Sequence, residues 1–107
     1  MYTLVGNLVN EIAVQEGSIV SKTVFQDDHL KAVLMALDAG QELSEHTASM
    51  PAVIHVLQGK SNVTLGGDVN LVSGGAWIHM PAEMKHAVSA VEPTVLLLLL
   101  LKSAKPR

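Results

Sequence analysis

The run "TVLLLLLLK", residues 94–102, restricts the fold more than any other stretch, because from Val95 to Leu101 it has no polar position at all. Seven apolar residues fall far short of the roughly 20 that a helix needs to cross a bilayer. Pro93 and Lys102 close the segment at its two ends. As a strand it has no side that tolerates water, so it must be covered on both faces. The inward set of leucines, alternating along the strand, fills the interior of a small barrel. The outward set needs a second cover, and two are available: the N-terminal segment "YTLVGNLVNEIAV" of the same chain, or a second subunit. Contiguous exposed apolar patches are rare on soluble monomers, which favours the second subunit and a homodimer.

The rest of the chain has the same all-β rhythm. Short apolar or alternating segments predict strands at 19–25, 30–38, 42–47, 52–58, 61–65, 69–72, 76–80, 86–91 and 94–102. The breaks between them, "QDD", "DAG", "SMP", "GK", "GGD", "SGG", "PAEMK" and "EP", are rich in Gly, Pro, Asp or Ser. Residues 30–38 contain helix formers, but the segment is short, has no N-cap pattern and lies between neighbours of period two, so we read it as strand. Strands at this spacing in 107 residues suit one domain, 1–107, of the sandwich or barrel kind.

Composition removes several functions. Seven Lys and Arg against ten Asp and Glu give a net charge of −3, and the basic residues are scattered along the chain. Nucleic acid needs a concentrated positive surface and is not an expected partner. The absence of cysteine excludes disulfides, thiol catalysis and thiolate zinc sites. Three aromatics, Tyr2, Phe25 and Trp77, leave almost no stacking platform. The segment "MYTLVGNLVNEIAV" has no basic start and carries Glu11 inside its apolar stretch, so the expectation is a cytoplasmic protein with no membrane partner.

Histidine is where chemistry could reside. His46 with His55, and His79 with His86, form two pairs in sequence, and imidazoles carried on separate strands can converge inside a barrel. Single histidines on β surfaces usually do no chemistry. Strand alternation puts Ala52, Ile54 and Val56 on one face and His55 on the other, which makes His55 an outer-face or interface residue. His79 is harder to place, since a bulge near Pro81 would change its parity. The turns "LGGD" and "SGGA" lack the spacing of a phosphate loop and read as hairpin turns. No Ser-His-Asp set can be defended from spacing, and no catalytic residue is assigned.

At this point the spacing resembles a known family. Gly40, five residues, His46, then Gly59, followed by Gly75, five residues, Pro81 and His86, is similar to the two-part signature of the cupin superfamily. "VLQG" and "MPAEMKHAV" also look like cupin phrases, and the resemblance runs over residues 40–90. It implies a double-stranded β-helix, the jelly-roll barrel, and a small single-domain member. It also implies four metal ligands, two of which are missing here. The second histidine of the first motif is Ala48 and its glutamate is Ala52. In the second motif the glycine is Glu83 and the final asparagine is Ala90.

Of the usual ligands only His46 and His86 remain. His79 is the candidate third metal ligand, and Met50, Met80, Met84 and Glu83 lie near the same loops as possible ligand-binding residues. Methionine more often simply fills apolar gaps, and a loop carboxylate is more often just solvated. Two readings follow. In one the barrel mouth binds a small apolar or weakly polar molecule, with His46 and His86 as polar anchors. In the other, a small-molecule enzyme of oxygenase or isomerase type uses a divalent transition metal of unknown identity.

Overall fold

The computed structural model describes residues 1–102. A 3-10 turn, Leu8–Glu11, precedes nine strands: β1 (Ile19–Gln26), β2 (Leu30–Leu37), β3 (Glu42–His46), β4 (Ala52–Gln58), β5 (Lys60–Leu65), β6 (Asp68–Ser73), β7 (Trp77–Met80), β8 (His86–Ala90) and β9 (Thr94–Leu101). They form two antiparallel sheets, one of five strands in the order β1-β2-β9-β4-β7 and one of four in the order β3-β8-β5-β6. It is all-β, as the strand rhythm predicts, and it is the jelly-roll architecture that the family resemblance implies. No helix among the described residues is long and apolar enough to cross a membrane.

Strand parity decides what each sheet buries. On the inner face of the larger sheet stand Leu37 of β2, Leu96 of β9, Ala52, Ile54 and Val56 of β4, and Met80 of β7. Val63 of β5 and Val88 and Ala90 of β8 meet them from the smaller sheet. Removing these apolar side chains from water is the main favourable contribution to the fold. One polar pair crosses between the sheets: Ser61 Oγ and Thr94 Oγ1 lie 2.7 Å apart, both fully buried. The Thr94 hydroxyl also contacts the Glu92 carbonyl at 2.9 Å, so this polar seam in the core is satisfied.

The leucine strand β9 runs down the middle of the larger sheet, between β2 and β4. Leu96, Leu98 and Leu100 face the interior. Val95, Leu97, Leu99 and Leu101 face outward, in register with Ala36, Leu34, Ala32 and Leu30 of β2. The outer cover is divided. Toward β1 the N-terminal segment lies on the sheet: Lys22 of β1, opposite Leu34, bonds Glu11 of the 3-10 turn at 3.0 Å. Leu34 and Ala36 are 0% exposed and Val95 is 1% exposed although all three point away from the core. Thr3 and Val5 close against Val24, Phe25 and Leu30 over an apolar cleft of about 330 Å³. Farther along, Leu97, Leu99 and Leu101 are only half-buried, and on the same face, across His55 of β4 from Leu97, Trp77 of β7 is 61% exposed.

Candidate functional site

His46 and His86 come from strands 40 residues apart in sequence and are directly opposed in the β3–β8 ladder. Their ring centroids lie 4.2 Å apart, tilted by 59°. The parity of β8 puts His86 on the same face as the core residues Val88 and Ala90. His46 is turned to that face by an irregularity in β3. Leu43 opposes Val88 and His46 opposes His86, so three residues on β3 span two on β8. This extra residue is a bulge, and without it His46 would point outward.

The pair stands at one end of the sandwich. On the smaller sheet Leu65 of β5 is the other neighbour of His86. On the larger sheet, Ala52 at the start of β4 lies between Met80 and Leu100. Ala52 is 2% exposed and Met80 1% exposed, so this end is floored by methyl groups and a thioether. The loops at the mouth are tied together: the Glu83 amide donates to the Ala48 carbonyl at 2.7 Å.

Each imidazole is held by the backbone carbonyl two residues before it, in β3 for His46 and in the β7–β8 loop for His86. His46 Nδ1 bonds the Ser44 carbonyl at 2.7 Å, and His86 Nδ1 bonds the Met84 carbonyl at 2.9 Å. His86 is buried, 6% exposed, whereas His46 is exposed at the rim.

The other candidates are spread out. His79 does not join the pair. It opposes Val53 on the outer face of the larger sheet and is exposed there, because the β4–β7 register is unbroken up to Met80 and the parity is that of simple alternation. His55, half-buried, lies on the same outer face opposite Trp77 and Leu97. Met80 belongs to the packed core, and Met84 packs half-buried against it. Met50 is half-buried in the β3–β4 loop. Glu83 is exposed and has a left-handed backbone, φ 68°, where the family's motif has glycine. Leu65 and Leu100 were not singled out by sequence. Only the pairing of strands reveals them as neighbours of the mouth.

A metal can be tested against this donor set. An imidazole whose Nδ1–H is held by a carbonyl presents Nε2, the usual ligand arrangement. Yet among the described residues no group of three His, Cys, Asp or Glu side chains is placed to hold an ion. At the two positions where the motif supplies further ligands stand the methyl groups of Ala48 and Ala52. Protein metal sites ordinarily bring three or four protein ligands, so the residues present do not fit a firmly held divalent ion.

The fold recurs in solved structures. A conserved protein of unknown function from Streptococcus pyogenes superposes with a TM-score of 0.86 at 30% identity, over 100% of this chain and 91% of that one. A cupin 2 conserved barrel domain protein from Leptotrichia buccalis has a TM-score of 0.84 at 33% identity over 90% of this chain. This chain spans 47% of the length of that relative. An RmlC-like cupin protein from Desulfovibrio desulfuricans has a TM-score of 0.84 at 25% identity, over 94% of this chain and 98% of that one. No protein-family model and no curated protein matches the sequence. Two antiparallel sheets closed over one apolar core, a histidine from each motif meeting at one end, and these relatives lead to one assignment: the chain belongs to the cupin superfamily.

Proposed function

We propose that the chain binds a small, largely apolar molecule at the barrel mouth, with His46 and His86 as its polar anchors. One observation carries the reading: a buried histidine faces an exposed one at 4.2 Å, at the end of the sandwich where Ala52 starts β4 between Met80 and Leu100. Apolar surroundings with a few convergent polar groups are the usual make-up of a small-molecule site. Metal analysis of protein purified without a histidine tag separates this from the metal-enzyme reading. The expected outcome is folded protein with well under one equivalent of first-row metal. Stoichiometric metal that is lost in His46→Ala would overturn the proposal in favour of metal-assisted chemistry.

A second proposal concerns assembly, and the divided outer face of the larger sheet supports it. Val95 is already covered within the chain, so three outward leucines per subunit, 97, 99 and 101, are left for a partner, with Trp77 on the same face across His55. Each is half-buried already. Completing their burial in two subunits contributes on the order of 5 kcal/mol, before the costs of association are subtracted. That favours a homodimer which dissociates on dilution. Light scattering across the micromolar range should give twice the 11.4 kDa chain mass at the upper end. A mass fixed at that of the monomer over the whole range would overturn it.

A further inference from the structure

Resting on the proposal that the mouth is the binding site, we infer that its ligand presents a hydrogen-bond donor, such as a hydroxyl, on an apolar body and is not an anion. The inference comes from where the imidazole protons are. A backbone carbonyl can only accept, so the bonds from His46 to Ser44 and from His86 to Met84 place a proton on Nδ1 of each ring. A neutral imidazole has one N–H, and both Nε2 atoms therefore carry lone pairs.

The second half of the argument concerns where those lone pairs lead. His86 makes its hydrogen bond through Nδ1, and among the described residues Nε2 has no partner. No polar side-chain atom of a residue in the interior is both sealed from solvent and unpartnered. The Nε2 of His86 therefore keeps some exposure, although the ring as a whole is 6% exposed, and it is the atom left for a ligand. His46, exposed and 4.2 Å away, adds a second acceptor of the same kind. With both rings neutral, the mouth therefore offers two hydrogen-bond acceptors and, from these rings, no donor.

Ligand classes sort themselves against that pair. An ether or ketone brings only acceptors and gains nothing. A carboxylate meets two lone pairs and is disfavoured while both rings are neutral. A hydroxyl donates to either Nε2, which leaves its apolar body to the apolar residues of this end, Leu65 opposite His86 and Ala52 at the start of β4. Leaving a buried acceptor unpaired costs more than pairing it gains, so a ligand without the donor is penalised as well as unrewarded.

Phenol and toluene, nearly equal in shape and differing in the donor, form the test. Long-range proton–nitrogen spectra of the labelled histidine rings are recorded well above the ordinary imidazole pKa of about 6.5. The expected result is a protonated Nδ1 and a bare Nε2 on both rings. Phenol then shifts the Nε2 signals of His46 and His86, and toluene binds roughly five- to tenfold more weakly without moving them. A proton on Nε2 of either ring, or equal binding of the two probes at the mouth, overturns the inference and leaves the proposed site standing. If neither probe perturbs Leu65, Met84 or the two rings, inference and site fall together.

Discussion

Gly59→Ala is expected to remove about 3–5 kcal/mol of folding stability, a large part of what a domain of this size has. Gly59 links β4 to β5 with φ 95°, a conformation that L side chains rarely adopt. Strain alone would cost about 1–3 kcal/mol. The larger part is steric: a β-carbon there would lie 2.1 Å from the Pro93 carbonyl oxygen and 2.7 Å from the Thr94 α-carbon. Both are backbone atoms, so no rotamer change relieves the contact. Nor is Thr94 free to retreat, because its hydroxyl holds the buried bond to Ser61 across the sheets. Urea unfolding measures the effect, and a loss below about 1 kcal/mol would show that the 92–94 backbone yields easily.

The opposite substitution at Glu83 gives the control. Its φ of 68° is also left-handed, yet the residue is exposed and its amide is held by Ala48. Glu83→Gly should therefore be neutral or stabilise by up to about 1 kcal/mol. The same backbone region thus takes opposite signs at two positions, one crowded and one open.

Much of this architecture was legible because period two is a strong signal in a chain with short, Gly- and Pro-marked turns. All nine strands lie within about one residue of their sequence positions, including Leu30–Leu37, whose composition suggests helix. The parity of β4 was legible too: Ala52, Ile54 and Val56 face inward and His55 outward. What alternation cannot show is where it is interrupted. The bulge between Leu43 and His46 brings the first histidine to the inner face, and nothing in "ELSEH" announces it. At His79 the reverse holds, since the sequence allowed a bulge near Pro81 and the strand stays regular up to Met80. The N-terminal cover over Leu34, Ala36 and Val95 was one of two open possibilities. Glu11 of the 3-10 turn bonds Lys22, opposite Leu34, which brings the N-terminal segment to this side of the sheet, and neither feature has a periodic signature.

The double substitution Ala48→His with Ala52→Glu should make stability depend on metal where it did not before. Ala52 is 2% exposed between Met80 and Leu100, so a carboxylate there enters an apolar site. Uncompensated, a buried charge costs about 3–5 kcal/mol, and the metal-free variant is expected to lose stability on that scale. A divalent first-row ion reverses the loss if the new side chains join His46 and His86, because four ligands of suitable chemistry would then share one end of the barrel. At a hundredfold excess over the dissociation constant, binding to the folded state alone contributes about 2.7 kcal/mol. Thermal unfolding with and without zinc reads this directly, and the parent chain run alongside should change little. Equal stabilisation of the parent would mean that two imidazoles hold the ion unaided and that the alanines are not what weakens the site. A folded double variant indifferent to zinc would mean that positions 48 and 52 no longer converge on the histidines, so that the mouth has departed from a metal site in its backbone as well as in its side chains.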